Sequence, residues 1–162
     1  MTHGAVALDQ YCTFWVDDLF FGVSVDEVQE VLRNQPMSPV PRASDAIHGL
    51  INLRGQIVTA VDLRYCLGLP PRDPESLPMN VIVRSRGEVV SLLVDDIGDV
   101  IDTAGLELEP TPSNMPEAVQ RVIVGVRPLA EAILLILDAD KAVDIAAADL
   151  PGGNNHDRNG GI

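Results

Sequence analysis

Two stretches of this chain, sixty-nine residues apart, carry one pattern. Val25-Asp26-Glu27-Val28-Gln29-Glu30-Val31 and Val94-Asp95-Asp96-Ile97-Gly98-Asp99-Val100 both read apolar, acid, acid, apolar, any residue, acid, apolar. The offset extends backwards. Thr13-Phe14-Trp15-Val16 falls on Ile82-Val83-Arg84-Ser85, Asp17-Asp18 on Arg86-Gly87, and Leu19–Val23 on Glu88–Leu92. Each copy reads as strand, two-residue hairpin loop, strand and acidic amphipathic turn. A weaker echo follows, in which Leu53-Arg54-Gly55 leading to Ile57–Asp62 resembles Val126-Arg127-Pro128 leading to Ile133–Asp138. One such unit cannot bury its own apolar face, so the duplication predicts two similar β-lobes packed together.

Punctuation agrees. Pro36, Pro39 and Pro41 break one loop, and Pro110, Pro112 and Pro116 break its counterpart; Pro70, Pro71, Pro74 and Pro78 mark a connection between the copies. The chain is read as a flexible N-terminus over 1–10, a domain over 11–150 and a disordered tail over 151–162. Within the domain, lobe one runs over about 11–70, a linker over 70–78 and lobe two over about 79–150. Helices are few: turns capped by Asp26 and Ser44, a short helix capped by Asp62 and stopped by Gly68, and a longer one over Ala139–Ala148. The fold class is all-β with minor helix.

A chain of 162 residues buries roughly 68–70% of its unfolded surface and needs no disulfide or metal staple. The run Ala132–Leu137 is far short of a membrane span, and Met1-Thr2-His3-Gly4 lacks the basic start of a signal peptide. A cytoplasmic protein is expected, without membrane insertion. Its formal net charge is −13, and its cations are Arg apart from Lys141. That sign argues against phosphate-tracking nucleic-acid binding. Cys12 and Cys66 form no CxxC pair and are read as buried, reduced thiols.

Catalytic chemistry is sparse. His3 and His156 fall in the two ends, and His48 precedes a turn at Gly49. No HExxH, P-loop, GxSxG or GxGxxG occurs. The acidic pairs Asp17-Asp18, Asp26-Glu27 and Asp95-Asp96 sit at turns, where carboxylates cap backbone N–H groups. No catalytic residue, metal ligand or cofactor is assigned. A ligand-binding or enzymatic alternative requires at least two of Asp95, Asp96, Asp99 and Glu30 to converge in one pocket.

A binding constellation stands out instead. Gly49-Leu50-Ile51-Asn52-Leu53-Arg54-Gly55 presents a guanidinium at a tight turn, with Gly55 supplying the permissive backbone. Arg54 either meets a partner or pairs within the chain, for example with Glu30. Val28 and Val31 face one way on the acidic turn, toward a partner or the core.

These residues resemble the CheW-like chemotaxis coupling proteins. The likeness rests on Val28-Gln29-Glu30-Val31, the Asn-Leu-Arg-Gly element at 52–55 and Val61-Asp62-Leu63-Arg64, and spans about residues 11–148. It implies two intertwined five-stranded SH3-like β-barrels packed together as a CheW-like domain. It also implies a non-enzymatic scaffold, located at membrane-anchored receptor arrays, that links the cytoplasmic tips of methyl-accepting chemoreceptors to the regulatory domain of a CheA-type histidine kinase. By position, Val28, Glu30, Val31, Gly49, Arg54, Gly55 and Val100 become the partner-binding residues. A receptor helix would then lie in an apolar groove between the lobes. Thr59 stands where members often carry Pro. The acidity and the Gly/Asn-rich tail leave room for a coupling protein of a pilus-motility or other chemosensory system, or a paralogue that binds only the kinase.

Overall fold

The computed structural model describes residues 9–148. The readings of the leader at Met1–Gly4, of most of the flexible segment 1–10, of His3 and His156 and of the tail over 151–162 lie outside that range. Ten strands form: β1 (Gln10–Val16), β2 (Leu19–Ser24), β3 (Val28–Leu32), β4 (Ile47–Leu53), β5 (Gln56–Asp62), β6 (Met79–Ser85), β7 (Glu88–Val94), β8 (Asp96–Asp102), β9 (Ile123–Pro128) and β10 (Ile133–Leu137). Three helices accompany them: α1 (Leu63–Cys66), α2 (Glu117–Gln120) and α3 (Ala139–Ala148). No helix among the described residues is long and apolar enough to cross a membrane.

The strands make two five-stranded sheets, ordered β8-β1-β2-β10-β9 and β3-β6-β7-β5-β4. This is the mostly-β class expected, and the two sheets fit a pair of SH3-like barrels. The sixty-nine-residue offset carries β1 onto β6, β2 onto β7 and β3 onto β8, and the later echo carries β4 and β5 onto β9 and β10. Under that exchange the two sheet orders become identical. The two Asp17-Asp18 and Arg86-Gly87 loops each close a hairpin, Val16 facing Leu19 and Ser85 facing Glu88.

The split into lobes at 11–70 and 79–150 needs correction. Each sheet takes two strands from one copy and three from the other, so the sequence halves exchange strands and are not the spatial halves. The exchange places β6 and β7 between β3 and β5, where both edges of each are paired. Alternation then assigns each face to a core. Val81 and Val83 of β6, with Phe14, Val16, Phe21 and Val23 from the other sheet, enter the central core, while Ile82 points the opposite way, toward Ile51, Leu53 and Val58. The Phe14 and Phe21 rings stack with centroids 5.7 Å apart, and both are fully buried. Each contributes about 1.5–3 kcal/mol of transfer free energy.

Local chemistry sets the short helices. The Asp62 side chain accepts from the Arg64 N–H at 3.1 Å and caps α1, after which Gly68 turns the chain at φ +71°. α3 occupies the expected Ala139–Ala148 range. The turn at 25–27 is capped by Ser24, not by Asp26, because the Ser24 hydroxyl accepts from the Asp26 N–H. α2 was not anticipated; it starts after Pro116 with no side-chain cap.

Candidate functional site

The segment holding Val28 and Val31 is an edge strand rather than an acidic helical turn. Val28 lies opposite Val83 and Val31 opposite Val81, with a bulge between Val28 and Glu30. The bulge adds one residue, so two valines three positions apart share a face. Val28 packs against the central core, and Val31 stays 38% exposed. Glu30 lies opposite Ile82 and is therefore aimed at the other face.

The same geometry recurs in the second copy. On β8, Ile97 lies opposite Phe14 and Val100 opposite Cys12, again across a bulge. Val100 is 60% exposed. Val31 and Val100, sixty-nine residues apart, are thus equivalent positions on the edge strands of different sheets.

Arg54 and Gly55 form the two-residue loop between β4 and β5, with φ of +53° and +88°. Both central residues being left-handed is the type I′ geometry that matches strand twist. The Asn52 Oδ1 accepts the Gly55 N–H at 2.9 Å and fixes the loop. The Arg54 Nη2 then donates to the Glu30 Oε2. The side chains are 67% and 23% exposed. The pair is thus both intramolecular and accessible. In water such a pair is worth about 0–1 kcal/mol, too little to explain it as a fold determinant. It does span the sheet, since β3 and β4 are opposite edges. Gly49, by contrast, is buried.

Sequence reasoning missed a second constellation. Arg64 grips Asp95 through Nε at 3.0 Å and Nη2 at 2.7 Å. Arg72, on the Pro-rich connection, donates its Nε to the same carboxylate at 2.9 Å. The Asp17 N–H donates to Asp95 Oδ2 at 2.6 Å, and Asp62 stands 3.5 Å from Arg72 Nη2. Burial pushes the Asp95 carboxyl up, but these donors outweigh it and hold the group below its ordinary value. One carboxylate thereby ties a hairpin of one sheet to a helix and a connection beside the other. The only signal was Arg64 in the Val-Asp-Leu-Arg element, which carries no spatial information.

A cleft of about 280 Å³ adjoins this network, lined by Asp45, His48, Asp62, Arg64, Tyr65 and Arg72 among others. His48 is exposed there, on β4. The four acids of the enzymatic alternative do not converge. Asp95 is held by arginines and Glu30 by Arg54, Asp96 accepts from the adjacent Ile97 N–H, and the Asp99 carbonyl accepts from the Thr13 hydroxyl. No group of three or more metal-ligating side chains occurs among the described residues. Cys66 is buried as expected, whereas Cys12 is half-buried on β1, with burial pushing its thiol up. Both are free thiols.

Comparison with known proteins agrees with this architecture. A family model described as CheW-like domain matches residues 10–147. The chain is 28% identical over 127 residues to a chemotaxis protein CheW of Rhizobium meliloti, covering 78% of this chain and 82% of that one. It is 28% identical over 136 residues to a chemotaxis protein CheW of Bacillus subtilis, covering 84% and 87%. Among solved structures, the scaffolding protein TtCheW from Thermoanaerobacter tengcongensis superposes with a TM-score of 0.71 at 23% identity, covering 80% of this chain and 88% of that chain.

Proposed function

The chain belongs to the CheW-like domain family, and from that premise we propose that it is a non-catalytic chemotaxis coupling protein. It links the cytoplasmic tips of methyl-accepting chemoreceptors to the regulatory domain of a CheA-type histidine kinase, and it works in the cytoplasm at receptor arrays. The observation that carries the reading is the accessible Arg54–Glu30 pair, set beside exposed Val31 on an edge strand. A charge pair that adds little stability yet sits on a rigid hairpin is suited to orienting a partner. Val31 and Val100 offer the apolar area such contacts need, with Val28 and Gly55 supporting them. The acidity of the chain is compatible with a protein partner and opposes direct attachment to anionic lipid.

Co-sedimentation tests this. Purified chain, kinase and vesicle-bound receptor fragments should pellet as a ternary assembly. Arg54→Ala and Glu30→Ala should each reduce the pelleted fraction while melting like the unmodified protein. Assembly of kinase and chain without receptor would identify the kinase-only paralogue. Absence of both interactions would end the coupling reading.

A further inference from the structure

Immediately after β3, the segment from Pro36 to Pro41 crosses back over β4. Ser38 and Leu50 exchange two backbone hydrogen bonds, Ser38 N–H to Leu50 O at 2.9 Å and Leu50 N–H to Ser38 O at 2.8 Å. Met37 packs on the core formed by Ile51, Leu53 and Val58. A Cβ on Gly49 would stand 2.8 Å from the Ser38 carbonyl oxygen and 3.2 Å from the Met37 Cβ. Backbone atoms cannot approach a side chain that closely, so this strap seats only on glycine.

The strap joins the two edges of its sheet. Its start follows the strand of Glu30, and its landing point lies on the arm of the Arg54 hairpin. Its seating therefore sets the gap that the Glu30–Arg54 pair spans. We propose that Gly49 is a positioning residue, touching no partner, whose missing side chain lets the strap hold Glu30 in reach of Arg54. The inference rests on the coupling function proposed above and revises the expected contact role of Gly49.

The second copy supplies an internal comparison. Gly125 on β9 is crossed by Glu109, which exchanges two backbone bonds with Val126 at 2.7 and 2.9 Å, and a Cβ on Gly125 would stand 2.6 Å from the Glu109 carbonyl oxygen. The device is built twice, but the register that sets Gly125 in the place of Gly49 puts Ala130 in the place of Arg54, so Asp99, the counterpart of Glu30, has no matching cation there. Equal strain at Gly125 has no such pair to disturb.

Titration of the full chain with a purified chemoreceptor cytoplasmic fragment tests the proposal. Gly49→Ala should weaken binding roughly five-fold or more, and Gly125→Ala should leave it unchanged. In a Glu30→Gln background Gly49→Ala should add nothing, because the route it acts through is already cut. A full further loss in that background, or an equal loss from Gly125→Ala, overturns the proposal. If Gly49→Ala does not fold, Met37→Ala loosens the strap from its other side and is held to the same pair of outcomes. A partner-free readout separates this proposal from the coupling function. The Arg54 Nε–H resonance should move in Gly49→Ala, or in Met37→Ala, and stay in Gly125→Ala. An unmoved resonance sinks the positioning role, whereas an unmodified chain that binds no receptor fragment sinks only the coupling reading.

Discussion

The guanidinium of Arg127 lies over the ring of Tyr11, 5.6 Å from its centroid. Arg127 echoes Arg54 in the sequence, yet in the fold it lies within β9 opposite Leu134, as Ile51 lies within β4 opposite Val58, whereas Arg54 sits in a hairpin loop. Arg54 points outward to Glu30, whereas Arg127 turns inward, donates to the Leu106 carbonyl at 2.5 Å and leaves its buried Nε without a hydrogen-bond partner. Duplication preserved the strand pairing, but a four-residue connection at 129–132 replaces the two-residue loop and its cation.

That divergence predicts unequal stability effects. Arg127→Ala should destabilise the protein by about 1–2 kcal/mol, through loss of a cation–π contact and a carbonyl bond. Arg54→Ala should stay within about 1 kcal/mol of the unmodified protein. Urea unfolding of both variants decides it, and equal losses would contradict the assignment of Arg127 to structure.

Asp95 should make the fold acid-sensitive. Its folded value lies below its unfolded value of 3.8, so its stabilisation is fully present above the unfolded value and fades as pH falls through the folded one. Asp95→Asn should remove about 3 kcal/mol at neutral pH, since it strips two partly buried arginines of their counter-ion. The difference between variant and unmodified protein should shrink toward the acid end of a pH series of urea melts. A pH-independent difference would show that the charge is not the source.

Glu27 runs the other way. Burial, then repulsion from Asp138, Asp140 and Asp26, raises its carboxyl above the ordinary 4.5. The ionised group therefore opposes folding above its folded value, and the penalty vanishes below the unfolded one. Glu27→Gln should stabilise the protein at neutral pH by no more than about 1 kcal/mol, because solvent screens the group. That gain should disappear below pH 4.5 in melts followed by circular dichroism.

Much of the site was legible before folding was considered. Arg54 and Gly55 are adjacent, and a loop needing two left-handed residues between apolar strands announces itself locally. The common facing of Val28 and Val31 was also readable, although a bulged strand produces it rather than a helical turn. The roles of Gly49 and Asp95 were not readable. Gly49 answers to a carbonyl eleven positions earlier, and Asp95 to arginines on segments with no shared pattern.

By itself the sequence determined that there are two copies of a β unit, where their strands and hairpin loops lie, and which turn shows a guanidinium. Each strand and loop depends on residues within a few positions of one another, and the duplication repeats those local patterns at a fixed offset. Only the tertiary structure decided that the copies trade strands, so that β6 and β7 sit between β3 and β5. Alternating apolar faces satisfy an own-copy and an exchanged pairing equally well; the choice between them is made by the burial and hydrogen bonding of distant edges, which no local pattern encodes.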